Sequence, residues 1–242
     1  FNMDSEIVQD QNVRKAIEMG IDKEGFCSVI MEGRGIPAKG AFPSSFTYGN
    51  DAVETVSYDP EEAKKLLEES GWTDTDGDGY VDKDGQKLTI NWLTYPTRLE
   101  QPKLAEYAQA TLKDIGIDVS VNNTSDHRTY AENGEFDVYV SSLTTAPTGD
   151  PEYFFSSTVT GSKNYGNYQN DEVTRLTDQL HQTFDTEERG KLAVELQQKI
   201  LDDDAYFFVS HLNMGIVTKA NVTGMAAHPC DYYEITADLD VQ

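Results

Sequence analysis

Basic residues are scarce in this chain: 19 Lys and Arg stand against 43 Asp and Glu, a net charge of −24 over 242 residues. Phosphate backbones and anionic leaflets are bound through basic surfaces, so nucleic acid is a poor partner and so is an acidic membrane face. Long apolar runs are missing too. No stretch approaches the roughly 18 residues that a membrane-spanning helix needs. Cysteine is limited to Cys27 and Cys230, at opposite ends of the chain. A disulfide framework is excluded, and sequence separation does not decide whether the two pair. Enzyme signatures are also absent: there is no phosphate-cradling glycine loop, no HExxH, no CxxC and no GxSxG elbow. His127, His181, His211 and His228 are scattered, and His228-Pro229-Cys230-Asp231 lacks the spaced partners of a metal site, so a plain loop is expected there. The opening Phe1 to Glu6 has no targeting features, so the chain is either cytosolic or lacks its targeting segment, and an abrupt start on what reads as strand residues, Phe1-Asn2-Met3, favours a fragment.

What is present can build a core: 38% of residues are hydrophobic and 10% aromatic. The stretch Phe136 to Phe155 organises the reading. Phe136, Val138 and Val140 alternate with Asp137, Tyr139 and Ser141, the period-2 pattern of a strand with one face buried. Thr144 to Pro151 then exchanges apolar residues for turn-formers, and Glu152 to Phe155 reads as a helix start. A buried strand ending in a polar loop at a helix start is where α/β proteins place ligands.

Ahead of that stretch, Val13, Ala16 and Ile17 sit at helical spacing, and Asp22 can cap a second helix burying Phe26, Val29 and Ile30. Residues 34–57, rich in Gly, Pro, Ser and Asn, are expected to form a long loop wrapping the body. Asp59-Pro60-Glu61-Glu62 is a helix start, with a cap, a first-turn proline and acids at the positive dipole end. Residues 74–85 place Asp74, Asp76, Asp78 and Asp82 where a calcium loop keeps ligands, but the twelfth position is Gly85 rather than Glu. The loop is read as an Asp/Gly surface turn or a structural calcium site. Residues 88–93, 117–121 and 136–140 are strands separated by helical patterns, a β-α-β-α-β order that favours a mixed, largely parallel sheet flanked by helices. Tyr95 to Arg98 and Thr144 to Asp150 then gather at the strands' C-terminal ends, with Tyr130 and other tyrosines beside them. Two amphipathic helices follow. They are built on Val173, Leu176, Leu180 and on Leu192, Leu196, Ile200, the second opening with Asp185 and Glu188 at capping-box spacing. Tyr206 to Val217 is expected as an apolar strand or strand pair carrying His211 and Asn213, and the tail as short edge strands.

Several runs resemble the extracytoplasmic solute-binding proteins for oligopeptides, dipeptides and nickel. They are Asn12-Val13-Arg14-Lys15-Ala16-Ile17 with Ile21-Asp22-Lys23-Glu24; Tyr58 through Leu67 with Gly71-Trp72; Ile115-Gly116-Ile117; Gly134-Glu135-Phe136-Asp137; Asp150-Pro151 with Phe154-Phe155; and Asp185 through Arg189. The resemblance implies the second lobe of a two-lobed periplasmic-binding-protein-like (type II) receptor, spanning 1–242 as a single ligand-binding lobe, and a monomer. It implies no catalysis. The partners it implies are a peptide or nickel-chelate ligand and the permease and ATPase subunits of an ABC importer. The implied location is extracytoplasmic, in the periplasm or at the cell surface on a lipid anchor. The ligand set expected on this reading is Tyr95, Arg98, Tyr130, Thr144, Thr145, Thr148, Asp150, His211 and Asn213. Peptide-binding branches grip the α-amine with an Asp at the position of Pro147, and a nickel-chelate branch has a His about where Lys163 lies, while Tyr130 matches a pocket Tyr of that branch. The run Thr145 to Pro151 resembles the nickel-type members more. The alternatives are a hydrolase-type domain using Asp150 with His211, and a calcium-stabilised surface module.

Overall fold

The computed structural model describes residues 1–227 and 235–242. The Cys27–Cys230 pairing and the His228–Asp231 reading lie outside the described residues; Cys27 itself is buried.

Helix α1 (Gln11–Met19) starts where the Asp10 side chain accepts from Asn12 N, and it buries Val13, Ala16 and Ile17. Arg14 on this helix is buried and donates to the carbonyls of Val8, Gln9, Asp203 and Asp204 at 2.8–2.9 Å. Its charge is therefore spent on tying the chain's beginning to a distant helix end. Helix α2 (Lys23–Gly25) is capped by Asp22 as expected and runs into a π-turn over Phe26–Ile30. The wider winding rotates Val29 outward. It is 72% exposed rather than buried, a correction to the α-helical reading. Strand β1 (Gly35–Pro37) opens the 34–57 loop, whose Ala38, Phe42, Tyr48, Asn50 and Val53 are buried, so the loop does wrap the body. Helix α3 (Pro60–Glu69) is capped by Asp59, buries Ala63 and Leu67, and stops at Gly71, where φ is +84°.

Within the Asp/Gly loop, β2 (Asp82–Lys83) and β3 (Gln86–Lys87) form a small hairpin. Then come β4 (Thr89–Thr94), α4 (Glu100–Lys113), β5 (Asp118–Asn123), α5 (His127–Glu132) and β6 (Val138–Tyr139). Their sheet has the order β5-β4-β6, with both pairings parallel and Trp92 opposite Val121 and Val138. The expected β-α-β-α-β unit is there, but β6 is shorter than the alternation implied. The Asp137 carboxylate takes the Asn91 backbone N–H at 2.7 Å and its side-chain amide at 2.8 Å, the Asp137 N–H donates to Asn91 O at 2.9 Å, and the strand register runs from Val138. Phe136, ahead of the strand, packs with Leu93 and Ala131 and not beside Val138.

Helix α6 (Glu152–Phe154) continues as a π-turn to Val159. Helices α7 (Asp171–Gln182) and α8 (Thr186–Asp202) bury the expected leucine stripes. At α8 the Asp185 half of the capping box forms, while the Glu188 carboxylate pairs with Lys191 instead. Strand β7 (Ser210–Leu212), the only paired part of Tyr206 to Val217 among the described residues, runs antiparallel to β1. Strands β8 (Val222–Thr223) and β9 (Asp240–Val241) pair with each other as a separate two-stranded ribbon, not as edge strands of the parallel sheet. One apolar cluster packs α1, α3 and α4 on the sheet; a second joins α6, α7 and α8 to the 34–57 loop.

Candidate functional site

Strands β4 and β6 point their C-terminal ends at one surface, where aromatic rings form a wall. Tyr95, directly after β4, is buried, and its Oη accepts from Ser142 N at 3.0 Å, fixing the chain beyond β6. Gln101 bridges Thr94 and Ser142 from the first turn of α4, and the Ser142 hydroxyl also donates to Glu100 at 2.7 Å. The Tyr95 ring stacks on His127 with centroids 4.1 Å apart and planes at 25°. His127 opens α5, and its Nδ1 lies 2.6 Å from Tyr139 Oη. Tyr139 in turn meets Phe136 and Tyr165 edge-on, and Tyr130 packs against the same group. Burial, with the Arg128 charge adding to it, holds the His127 imidazole below its usual range, and burial pushes the Tyr139 phenol up. At neutral pH this wall therefore carries a neutral imidazole and a protonated phenol.

The second element at this end is the loop from Thr144 to Asp150, and it is bonded inward. Thr145 donates to Ala41 O at 2.9 Å, and Gly149 O accepts from Tyr48 Oη at 2.7 Å. Asp150 receives a two-point grip from Arg189, Nε to Oδ2 at 2.8 Å and Nη2 to Oδ1 at 2.6 Å. Arg189 also reaches Glu152 at 2.8 Å and the carbonyls of Leu180 and Thr183 at 2.6 Å, and Glu152 meets His181 Nδ1 at 2.6 Å. Burial pushes the Asp150 carboxyl up, but the Arg189 and Glu152 N–H hydrogen bonds outweigh it and leave the group below the usual carboxylate range. The Asp150 charge is already matched, so it is not the unpaired acid that would take a ligand's ammonium in place of Pro147.

The remaining expected residues separate. Arg98, Thr144 and Thr148 are exposed near the wall's elements, and the Arg98 guanidinium has no bonding partner among the described residues. His211 and Asn213 belong to the β1–β7 ribbon: His211 Nε2 lies 3.2 Å from Asn50 Oδ1, and Asn213 donates to Gly33 O at 3.2 Å. Burial pushes His211 down to about 4. The Asp150–His211 acid–base pair is thus corrected: each side chain is engaged by a different partner, Arg189 and Asn50. Of the four expected ligands in 74–85, Asp74, Asp76 and Asp78 bring carboxylate oxygens within 4.8 Å of one another, all exposed. They accept from Gly77, Gly79, Asp78 and Tyr80 N at 2.7–3.1 Å. Asp82 stands apart, holding Thr75 through its backbone N and hydroxyl.

Tyr139 is one of the tyrosines expected beside the strand-end loops, whereas His127 and Arg189 were missed as site-building residues. For His127 the signal existed: it starts the helix that follows the C-terminal end of β5, on the same edge as Tyr95. For Arg189 nothing local pointed 39 residues back to Asp150.

The family model described as bacterial extracellular solute-binding proteins, family 5 middle, matches residues 1–166. An oligopeptide-binding protein, AppA of Bacillus subtilis, is 31% identical over 97% of this chain and 45% of its own length. The nickel-binding periplasmic protein of Escherichia coli is 27% identical over 90% of the chain and 43% of its own length. A nickel ABC transporter structure from Bacillus halodurans superposes with a TM-score of 0.80 at 28% identity, covering 99% of this chain and 50% of that one. The fold is that of the periplasmic binding proteins, and the chain spans about half the length of the relatives it matches.

Proposed function

Because the chain belongs to the bacterial extracellular solute-binding proteins of family 5, we propose that it is one lobe of a receptor. That receptor captures an oligopeptide or a nickel or nickel-chelate ligand outside the cytoplasm and delivers it to an ABC importer. The single observation that carries this reading is the aromatic wall at the C-terminal ends of β4 and β6, a preformed face with a stacked Tyr95–His127 pair. Tyr130, Arg98, Thr144 and Thr148 are the ligand contacts on this reading, with Tyr95 and Thr145 positioning them. His211 and Asn213 join only through the β1–β7 ribbon. The activity is binding and release, with no bond made or broken, and the receptor acts as a monomer delivering to permease and ATPase subunits, held in the periplasm or by a lipid anchor. A structural calcium at Asp74, Asp76 and Asp78 is the reduced form of the four-acid site expected from the sequence.

Binding by 1–242 alone is expected to be weak, since one wall of a two-walled cleft buries too little ligand surface. Native mass spectrometry of a receptor of the relatives' full length, purified without added ligand, tests the reading. A co-purifying peptide or nickel complex supports it. A receptor that stays empty and gives no heat with peptides or nickel–histidine in calorimetry overturns it.

A further inference from the structure

Helices α7 and α8 are joined by Thr183, Phe184 and Asp185, and two of these residues serve the fold. Thr183 ends α7, its N–H donating to Leu180 O at 3.2 Å and its hydroxyl to Gln179 O at 2.8 Å. Asp185 caps α8 by accepting from Glu188 N at 3.0 Å. Phe184 between them does neither. It is 91% exposed, belongs to no apolar cluster and meets no other ring among the described residues. A polar residue would link the two caps equally well.

Single exposed apolar residues are common on protein surfaces. What sets Phe184 apart is how firmly its backbone is held, and where. Arg189, in the first turn of α8, donates to Leu180 O and Thr183 O at 2.6 Å on one side of the turn. Its other bonds go to Asp150 and Glu152 at 2.6–2.8 Å, and His181 reaches the same Glu152 at 2.6 Å. The turn is thereby tied to the loop at the ligand end of the sheet, and Phe184 is carried on a backbone ordered in advance. Aromatic anchors on such backbone dominate protein interfaces, because they bury much apolar area and lose little freedom on docking.

The surroundings set the charge of the partner. Asp185, Glu187 and Glu188 are exposed around the turn. Lys191, paired with Glu187 and Glu188 at 3.1 and 2.9 Å, is their one cation among the described residues. A surface that covers Phe184 must therefore offer an apolar socket with a basic rim. An anionic lipid leaflet would meet these acids with repulsion.

We propose that Phe184 is the anchor by which this lobe docks on the extracytoplasmic face of its permease, in an apolar socket rimmed by Lys or Arg. This rests on the receptor reading above and deepens it, naming a contact for delivery rather than for capture.

The test uses a receptor of the relatives' full length, loaded with whichever of trialanine and nickel–histidine it binds. It is titrated onto its permease–ATPase complex in lipid vesicles, and ATP hydrolysis is followed. Phe184→Ser is expected to raise the receptor concentration for half-stimulation about tenfold or more. Ligand affinity should stay within about twofold, and Tm within about 2 °C in both the full-length receptor and the 1–242 chain. Phe184→Leu, which keeps apolar bulk, should recover most of the stimulation. Half-stimulation unchanged by Phe184→Ser overturns the anchor and leaves the receptor reading standing. A Tm loss in the full-length receptor but not in 1–242 also overturns it, placing Phe184 against the other lobe. So does binding to permease-free phosphatidylglycerol vesicles that Phe184→Ser abolishes, which makes the ring a lipid anchor. A full-length receptor that binds neither probe and stimulates no hydrolysis overturns the receptor reading itself.

Discussion

Two regions at the same end of the sheet invite comparison: the ring wall after β4 and β6, and the Thr144–Glu152 loop. Both are polar, both carry motif residues, and both looked like ligand surface in the sequence. They differ in whether their bonding capacity is used. The loop is closed by Arg189 on Asp150 and Glu152, by Thr145 on Ala41 and by Tyr48 on Gly149. The wall leaves His127 Nε2 and Arg98 and Arg128 without partners among the described residues. A polar residue near a cleft is informative about ligand only after its internal partners are counted.

Breaking the loop should cost the most. Arg189→Ala leaves two carboxylates facing each other without their common cation, and a loss of ~3 kcal/mol is expected from a partly buried pair. Urea unfolding measures it; a loss under ~1 kcal/mol would place this cluster with ordinary surface ion pairs.

Acid should then separate the clamp from the β1–β7 ribbon. His211 is pushed down to about 4 from 6.5, so the unfolded chain takes up its proton first and stability falls as pH drops from 6.5 towards 4. Asp150 and Glu152 are held below their usual 3.8 and 4.5. Their contribution is complete above those values and is lost as pH falls through the lowered folded ones. Two acid phases are expected in Tm against pH; His211→Asn should remove the upper one and Arg189→Ala the lower. A single phase unaffected by either substitution contradicts the assignment.

The wall should be nearly silent in stability. Tyr139→Phe deletes one half-buried hydrogen bond, a cost of about 1 kcal/mol by chemical denaturation. It frees the His127 ring, which proton relaxation of the imidazole would register as increased mobility. Calcium should have the smallest effect. If three carboxylates hold it at ~1 mM, as in weak extracellular sites, then 2 mM calcium adds about 0.7 kcal/mol of stability. Asp76→Asn should abolish the gain, and no gain with the unaltered chain removes the site.

Much of the fold was legible because local signals agreed with it. Asp59-Pro60 started a helix, Gly71 ended it, and Trp92 and Val119 lay on strands of a parallel sheet. The misses come from interactions without a local signature. A π-turn accompanies the exposure of Val29, and at the start of β6 the Asp137 carboxylate, not a backbone carbonyl, takes the Asn91 N–H. The motif residues were recognisable, yet their work is largely structural: Arg14 ties α1 to the end of α8, and Asp150 and Arg189, 39 residues apart, are two ends of one ion pair. The site was located to the right edge of the sheet, but its ring stack and its unspent donors appear only when Tyr95, His127 and Tyr139 are brought together in space.

The central claim is that ligand meets the wall and not the closed loop. Amide chemical-shift mapping on the labelled 1–242 chain, titrated with the compound that co-purifies with the full-length receptor, tests it most directly. The largest shifts are expected at 95–98, 127–131 and 139–142, with residues 150–152 nearly still. Shifts centred on 150–152 with the wall unmoved would contradict the account.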